Sequence, residues 1–183
     1  ICGFDTGPGN TLLDAWAEKQ LQTPRDDHGA WGRQGILQKN LLQKMLDDPY
    51  FALSSPKSTG REYFNLQWLA QFSPENYQPA DVQATLTELT VETILHAIHP
   101  HFSEGEILVC GGGIHNAFLM ERLRENGNAF SIESTEKYGI HPDWVEAMAF
   151  AWLAKQTLSR QPGNLTDVTG ASRASILGGV YFA

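Results

Sequence analysis

Cysteine is nearly absent from this sequence: 183 residues contain two, Cys2 and Cys110. Two thiols build no disulfide framework, and such sparse use fits a reducing compartment, the cytoplasm. Positive charge is scarce too, with 13 Lys and Arg against 21 Asp and Glu and a formal net charge of −8. Phosphate backbones and anionic lipid surfaces demand clustered Lys and Arg, so the chain reads as one with no nucleic-acid and no membrane partner. A small-molecule ligand fits better. No apolar run approaches the ~18 residues of a membrane span. Neither G-x-G-x-x-G nor G-x-x-x-x-G-K-[ST] occurs, and His28, His96, His99, His101, His115 and His141 form no metal-ligand spacing with Cys or acids. No metal ligands and no Ser–His–Asp set are assigned. Neither Met nor a basic-then-apolar leader opens the chain. Its start at Ile1, in what reads as a strand end, is expected to be a cut inside a longer polypeptide.

What remains is an ordinary globular composition, 42% hydrophobic and 19% charged, sufficient for one sizeable core or two small ones. The hydrophobic period predicts a helix from Thr11 to near Gln22, a second over about 35 to 47, and the longest from Pro79 to a stop at Pro100. Between these, Ser54 to Glu62 is a loop by composition, and Phe64, Leu66, Trp68 and Leu69 return to core. Further on, Glu106–Val109 reads as a strand entering a glycine turn, followed by a helix through Leu119, Met120 and Leu123. Residues 129 to 133 predict a strand, 143 to 158 a helix, and Leu177 to Phe182 a last strand or extended tail. Strands alternating with helices imply an α/β layer structure, with no internal repeat and no low-complexity linker.

Two glycine turns carry most of the functional signal. The first, Gly3-Phe4-Asp5-Thr6-Gly7-Pro8-Gly9-Asn10, places an acid beside glycines just before a helix. The second, Cys110-Gly111-Gly112-Gly113-Ile114-His115-Asn116, removes three side chains in succession between strand and helix. Glycine lets the backbone approach a ligand closely, and a helix start offers N–H groups to an anion, so both turns suggest a nucleotide site. Gly7, Gly9, Asn10, Gly111, Gly112, Gly113 and Asn116 are the candidate cofactor-binding residues. Asp5 is the candidate catalytic residue, a general base or the holder of a metal-bound water. Ordinary turns satisfy the same local pattern: Asp5 also suits a turn cap, and Asn116 a helix cap.

Three other groups of residues stand out. Glu146 is the one charged residue between Asp143 and Lys155, in a run rich in Ala, Met and aromatics, and a buried acid needs a partner or a polar cleft. Asp143, three residues earlier, is placed to line the same edge. Lys57, Ser58, Thr59 and Arg61 concentrate donors in one loop, which suits a phosphate or a sugar-borne carboxylate as well as it suits a solvated surface. Trp16, Trp31, Trp68, Trp144 and Trp152 read as core rather than as a carbohydrate platform.

Taken in order, the segments Gly3–Asn10, Pro56-Lys57-Ser58-Thr59-Gly60-Arg61-Glu62, Asp81-Val82-Gln83-Ala84-Thr85-Leu86, Cys110–Gly113 and Asp167-Val168-Thr169-Gly170-Ala171 resemble the C-terminal half of the anhydro-N-acetylmuramic acid kinases. The resemblance covers essentially the whole chain. It implies a ribonuclease H-like, actin-like ATPase lobe with a mixed sheet flanked by helices, in which residues 1–183 are the C-terminal lobe of a two-lobed kinase and the N-terminal lobe is absent. It further implies ATP and Mg2+ in the cleft, a homodimer of the parent protein, and a role in peptidoglycan recycling. The implied reaction hydrolyses the 1,6-anhydro ring of anhydro-N-acetylmuramic acid and phosphorylates the freed 6-hydroxyl. In that reading Asp5 is the base acting on the attacking water, Cys110–Gly113 faces adenosine, Gly7–Asn10 lies near the transferring phosphoryl, and Glu146 is on the sugar side. The family signature gives Lys57 to Arg61 no role. The family's first phosphate loop, Gly-Thr-Ser-x-Asp-Gly, has no counterpart here, so the chain alone is expected to be inactive. Two other readings stay open: a non-catalytic nucleotide-binding switch module of the actin-like superfamily, in which Asp5 only orders water, and a structural one in which the glycines are turns and Glu146 is a paired core acid.

Overall fold

The long helix expected after Pro79 organises everything else. In the computed structural model, which describes residues 1–181, α4 runs Pro79–Ile98, with Pro79 in its first turn where a missing N–H costs nothing. Twelve of its 20 residues are buried, among them Thr85, Thr87, Thr90 and Thr93. Those hydroxyls avoid a desolvation penalty by donating back to carbonyls of the helix: Thr85 to Asp81, Thr87 to Gln83, Thr90 to Leu86 and Thr93 to Thr90. A helix wet on no long face is thereby made compatible with two cores.

The first core lies against the N-terminal part of α4. It joins α1 (Thr11–Leu21), α2 (Lys39–Leu46) and α3 (Leu66–Ala70) through Leu12, Leu13, Trp16, Leu41, Met45, Phe64, Trp68 and Leu69, closing on Val82, Leu86 and Leu89. The second sits further along. Val91 and Leu95 of α4 meet Leu119, Met120 and Leu123 of α5 (Ala117–Asn126) and the strand residues Phe130 and Ile132. Two small cores rather than one large one are what the composition left open.

The sheet is a parallel pair, β1 (Gly105–Val109) with β2 (Phe130–Ser134), in the register Gly105 with Phe130 through Val109 with Ser134. Strand, turn, α5, strand is the crossover unit that the sequence predicted. Among the described residues no further strand joins it. The mixed sheet implied by the resemblance is therefore not present in them, and neither Ile1–Phe4 nor residues 177–181 form a ladder. The second helix, α2, begins at Lys39 rather than near residue 35 as the hydrophobic period predicts. A Cβ at Gly35 would stand 2.0 Å from the Ala80 carbonyl oxygen, and the Ile36 N–H donates to Asp81 Oδ1 at 2.8 Å. Docking onto the start of α4 thus takes the backbone groups a helix would have used. Residue 182 of the expected last strand lies outside the described residues.

α6 (Val145–Leu158) differs from the other long helices: none of its residues is buried. Trp144 is 65% exposed, Phe150 63% and Trp152 52%, so two of the five tryptophans read as core are at the surface, whereas Trp16 and Trp68 are core. A short helix, α7 (Thr166–Thr169), follows, and the tail returns along α6, with Leu177 O accepting from Thr157 Oγ1.

α4 and α5 are also joined by charge. Glu88, whose side chain is 7% exposed, receives Arg122 Nε at 2.8 Å, Arg122 Nη2 at 3.0 Å and Asn126 Nδ2 at 2.9 Å, while Glu125 takes the remaining arm of the guanidinium. Glu88 holds the Arg122 guanidinium above its ordinary value, chiefly by hydrogen bonding. Glu88→Ala would leave the guanidinium with Glu125 alone at a mostly buried junction, and a loss of about 1.5–3 kcal/mol of unfolding free energy is expected, read by denaturant melts of the protein. A melt unchanged within error would show the cluster to be dispensable.

Candidate functional site

The N-terminal segment is pinned at Asp5 from three sides. Its N–H donates to Lys57 O at 3.2 Å, and its carbonyl accepts from the Tyr50 hydroxyl at 2.7 Å. The carboxylate is held through one oxygen alone: Oδ2 accepts from Ser58 Oγ at 2.8 Å and from the Thr59 N–H at 2.9 Å. Asp5 itself is exposed, and Oδ1 has no donor among the described residues. The carboxylate does not cap the following turn, where the Thr11 N–H instead reaches Pro8 O.

The loop that grips Asp5 is itself held by its neighbours. Lys57 Nζ donates to the Tyr50 and Phe51 carbonyls at 3.2 and 3.4 Å and sits 4.8 Å from the centre of the Tyr50 ring. Burial pushes that ammonium below the usual lysine range. Tyr50 is packed edge-on against Phe51 and Phe64, and its N–H is taken by Asp48, which also accepts from the Tyr63 hydroxyl and Trp68 Nε1. Burial, and secondarily the Asp5 charge, raises the Tyr50 hydroxyl above its ordinary value, so it stays a donor. The loop that composition left as a solvated surface or an anion holder is thus turned onto Asp5. Burial raises the Asp14 carboxyl above its ordinary value, and the charges of Arg25 and Arg61 act against that rise.

Asn10 brings the two glycine turns together. A Cβ added at Gly112 would lie 3.5 Å from Asn10 Nδ2, and one at Gly113 3.7 Å from Asn10 Oδ1. Gly9 (φ 53°) and Gly111 (φ 73°) adopt left-handed backbone with nothing within 4 Å of an added Cβ. Such positions favour glycine and leave the surface above them open. Gly7 has a different reason to be glycine, since a Cβ there would press on Thr93 and Phe51 at 3.0 and 3.2 Å. The Thr90 hydroxyl, whose one proton is shared between Leu86 O and, at 3.0 Å, Gly9 O, ties the first turn to α4. The second is fixed by the Gly111 N–H on Pro142 O and by His115 Nε2, 2.7 Å from Asp143 Oδ1.

Asn116 takes one of the two places expected of it, and Glu146 is exposed where its apolar neighbours suggested burial. Asn116 is 9% exposed and caps α5 by accepting from the Leu119 N–H, with Gly29 packed so closely that a Cβ would fall 2.1 Å from Asn116 Oδ1. Of its two open readings, the cap is the one observed. Glu146 is exposed in the first turn of α6 and hydrogen-bonds to no described residue. The need for a partner rested on burial of its apolar neighbours, and these are exposed, so water solvates the acid. Asp143 is engaged by His115 rather than by an edge shared with Glu146. Sequence reasoning missed Tyr50 and Asp48, whose contribution is to hold the loop, and nothing local marked either of them.

A cavity of about 660 Å³ opens nearby between Phe4, Thr6, Phe51, Lys57, Glu92 and His96; Phe4 and Thr6 of the first turn line it, but Asp5 and the turn glycines do not. Among the described residues no group of three or more His, Cys, Asp or Glu could hold a metal ion, and no helix is long and apolar enough to cross a membrane.

Compared with known proteins, this α/β chain falls in a class of kinases. The family model described as anhydro-N-acetylmuramic acid kinase matches residues 1–183. Proteins of that name from Coxiella burnetii (strain RSA 493 / Nine Mile phase I) and Saccharophagus degradans are 50% identical over 183 residues and 48% identical over 184. The matches cover 98% and 99% of this chain, and 49% and 50% of those proteins. A namesake from Pseudomonas syringae pv. tomato is 50% identical over 182 residues, covering 98% of the chain and 50% of its own length. The chain belongs to the anhydro-N-acetylmuramic acid kinase family, and it spans about half the length of the curated relatives it matches.

Proposed function

We propose that residues 1–183 are the C-terminal lobe of a two-lobed, actin-like sugar kinase, and that the full-length protein opens and phosphorylates anhydro-N-acetylmuramic acid at the expense of ATP. The observation that carries this is the carboxylate of Asp5, exposed, held by one oxygen and open at the other, a few residues from paired glycine turns. Cytoplasmic location and a homodimer of the full-length protein belong to the same reading, which rests for them on the family.

The glycine surface suits a nucleotide because a Cβ at Gly9 or Gly111 would project into open space rather than protein. Gly9, Asn10, Gly111, Gly112 and Gly113 would hold ATP there, and the nucleotide would supply the phosphoryl group. Gly7 and Asn116 support the turns from beneath. Among the described residues the acids form no metal cage, so Mg2+ would arrive with the phosphates, as Mg2+ commonly does.

Asp5 Oδ1 accepts a proton from water as the water oxygen bonds to the anomeric carbon. The bond from that carbon to O6 breaks, its electron pair passes to O6, and O6 takes the γ-phosphoryl, releasing ADP. Glu146, exposed on α6, is proposed on the sugar side of the cleft. Incubating the full-length protein with ATP and anhydro-N-acetylmuramic acid is expected to give N-acetylmuramic acid 6-phosphate and ADP in equal amounts. Nucleotide binding with no phosphorylated sugar would replace this reading by the switch module.

A further inference from the structure

We infer that Ser58 is a positioning residue that commits Oδ2 of Asp5 and so leaves Oδ1 as the working atom of the base; this rests on the reaction proposed above. Two donors converge on Oδ2, the Ser58 hydroxyl at 2.8 Å and the Thr59 N–H at 2.9 Å, while none reaches Oδ1 among the described residues. A carboxylate on a single Cβ rotates about χ2 unless both its oxygens are distinguished. Here they are.

The backbone that carries the carboxylate is held by the same loop. Asp5 N–H on Lys57 O and Tyr50 O–H on Asp5 O fix both peptide groups flanking the side chain. Lys57 in turn ties its own segment to the Tyr50 and Phe51 carbonyls. Two contacts to its backbone therefore fix where the acid stands, and the Ser58–Thr59 pair fixes which way it faces. The turn is 53 residues from Asp5 in sequence, and its hydroxyl is spent on the acid instead of on a phosphate or a sugar carboxylate. A general base must meet its proton at hydrogen-bond distance, so loss of orientation lowers the rate of the chemical step with little effect on binding.

The test uses the full-length protein, beginning with wild-type turnover of ATP and the anhydro sugar. Ser58→Ala is expected to lower kcat about ten- to a hundredfold, as loss of a hydrogen bond to a charged group would, with KM for ATP and for sugar within about twofold of wild type. Ser58→Thr, which keeps the hydroxyl, is expected to recover most of that loss. An unchanged kcat in Ser58→Ala overturns the inference, as do equal losses in the Ala and Thr variants. A loss confined to the sugar KM overturns it as well, by making Ser58 a substrate contact. If the wild type forms no product the functional reading fails and takes this inference with it; if the wild type turns over, only the inference is at stake.

Discussion

Asp5→Asn in the full-length protein is expected to lower kcat for sugar phosphorylation by about 10²–10⁴-fold, the usual contribution of a positioned base, while ATP binding stays within about twofold. Asn is nearly isosteric and its amide oxygen can still accept from Ser58 Oγ and the Thr59 N–H, so the loop should keep its shape. What it loses is the basicity of the atom left open. The Tyr50 and Lys57 contacts run through the Asp5 backbone and are indifferent to the change. Titrating nucleotide by calorimetry and measuring phosphorylated sugar by mass spectrometry separates the two effects. Near-normal turnover would remove Asp5 from the role of base, and weakened ATP binding of tenfold or more would make it a nucleotide contact instead.

Much of the scaffold behind that acid is legible in the sequence because it is local. Pro79 and Pro100 bracket α4, the step from Ile107-Leu108-Val109 into three glycines marks β1 and its turn, and the stripe Leu12, Leu13, Trp16, Ala17 places α1. The late start of α2 is not local. It depends on Gly35 meeting the Ala80 carbonyl and on Asp81 taking the Ile36 N–H, contacts across about 45 residues that no periodicity encodes.

The site divides along the same line. Asp5 and the glycines announce themselves by residue type, and the two glycine turns meet at Asn10. The grip of Ser58 on Asp5 is hidden, because a Lys-Ser-Thr-Gly-Arg loop looks the same whether its donors face solvent, an anion or a carboxylate of the chain. Glu146 lacks the partner its neighbours suggest for a physical reason. Apolar neighbours at every angle around a helix read as burial, yet in α6 they are exposed, so the acid among them has water and needs no partner.

That exposed helix carries the second large effect. Residues 1–183 produced alone are expected to show no measurable sugar phosphorylation and to bind a hydrophobic dye such as ANS several-fold, roughly, above the full-length protein. Phe150, Trp152 and Leu158 of α6 lie 63%, 52% and 70% exposed, Trp144 just before it 65%, and Val180 and Tyr181 extend the apolar surface along the tail. Single exposed apolar residues are common, but a helix with no buried position and a run of aromatics is a face awaiting cover. The sheet points the same way. Two parallel strands with Leu108 43% exposed lack the layers that normally bury a parallel sheet on both sides. Phosphoryl transfer draws nearly all of its rate from positioning and charge placed around the group in flight, so a site walled on one side forfeits it even with Asp5 correctly held. Mixing the purified chain with the separately produced remainder of the polypeptide should quench the dye signal and restore turnover together. Full-rate phosphorylation by residues 1–183 alone, or dye binding no greater than that of the full-length protein, would mean that the α6 face needs no cover and that the catalytic walls all lie within this chain.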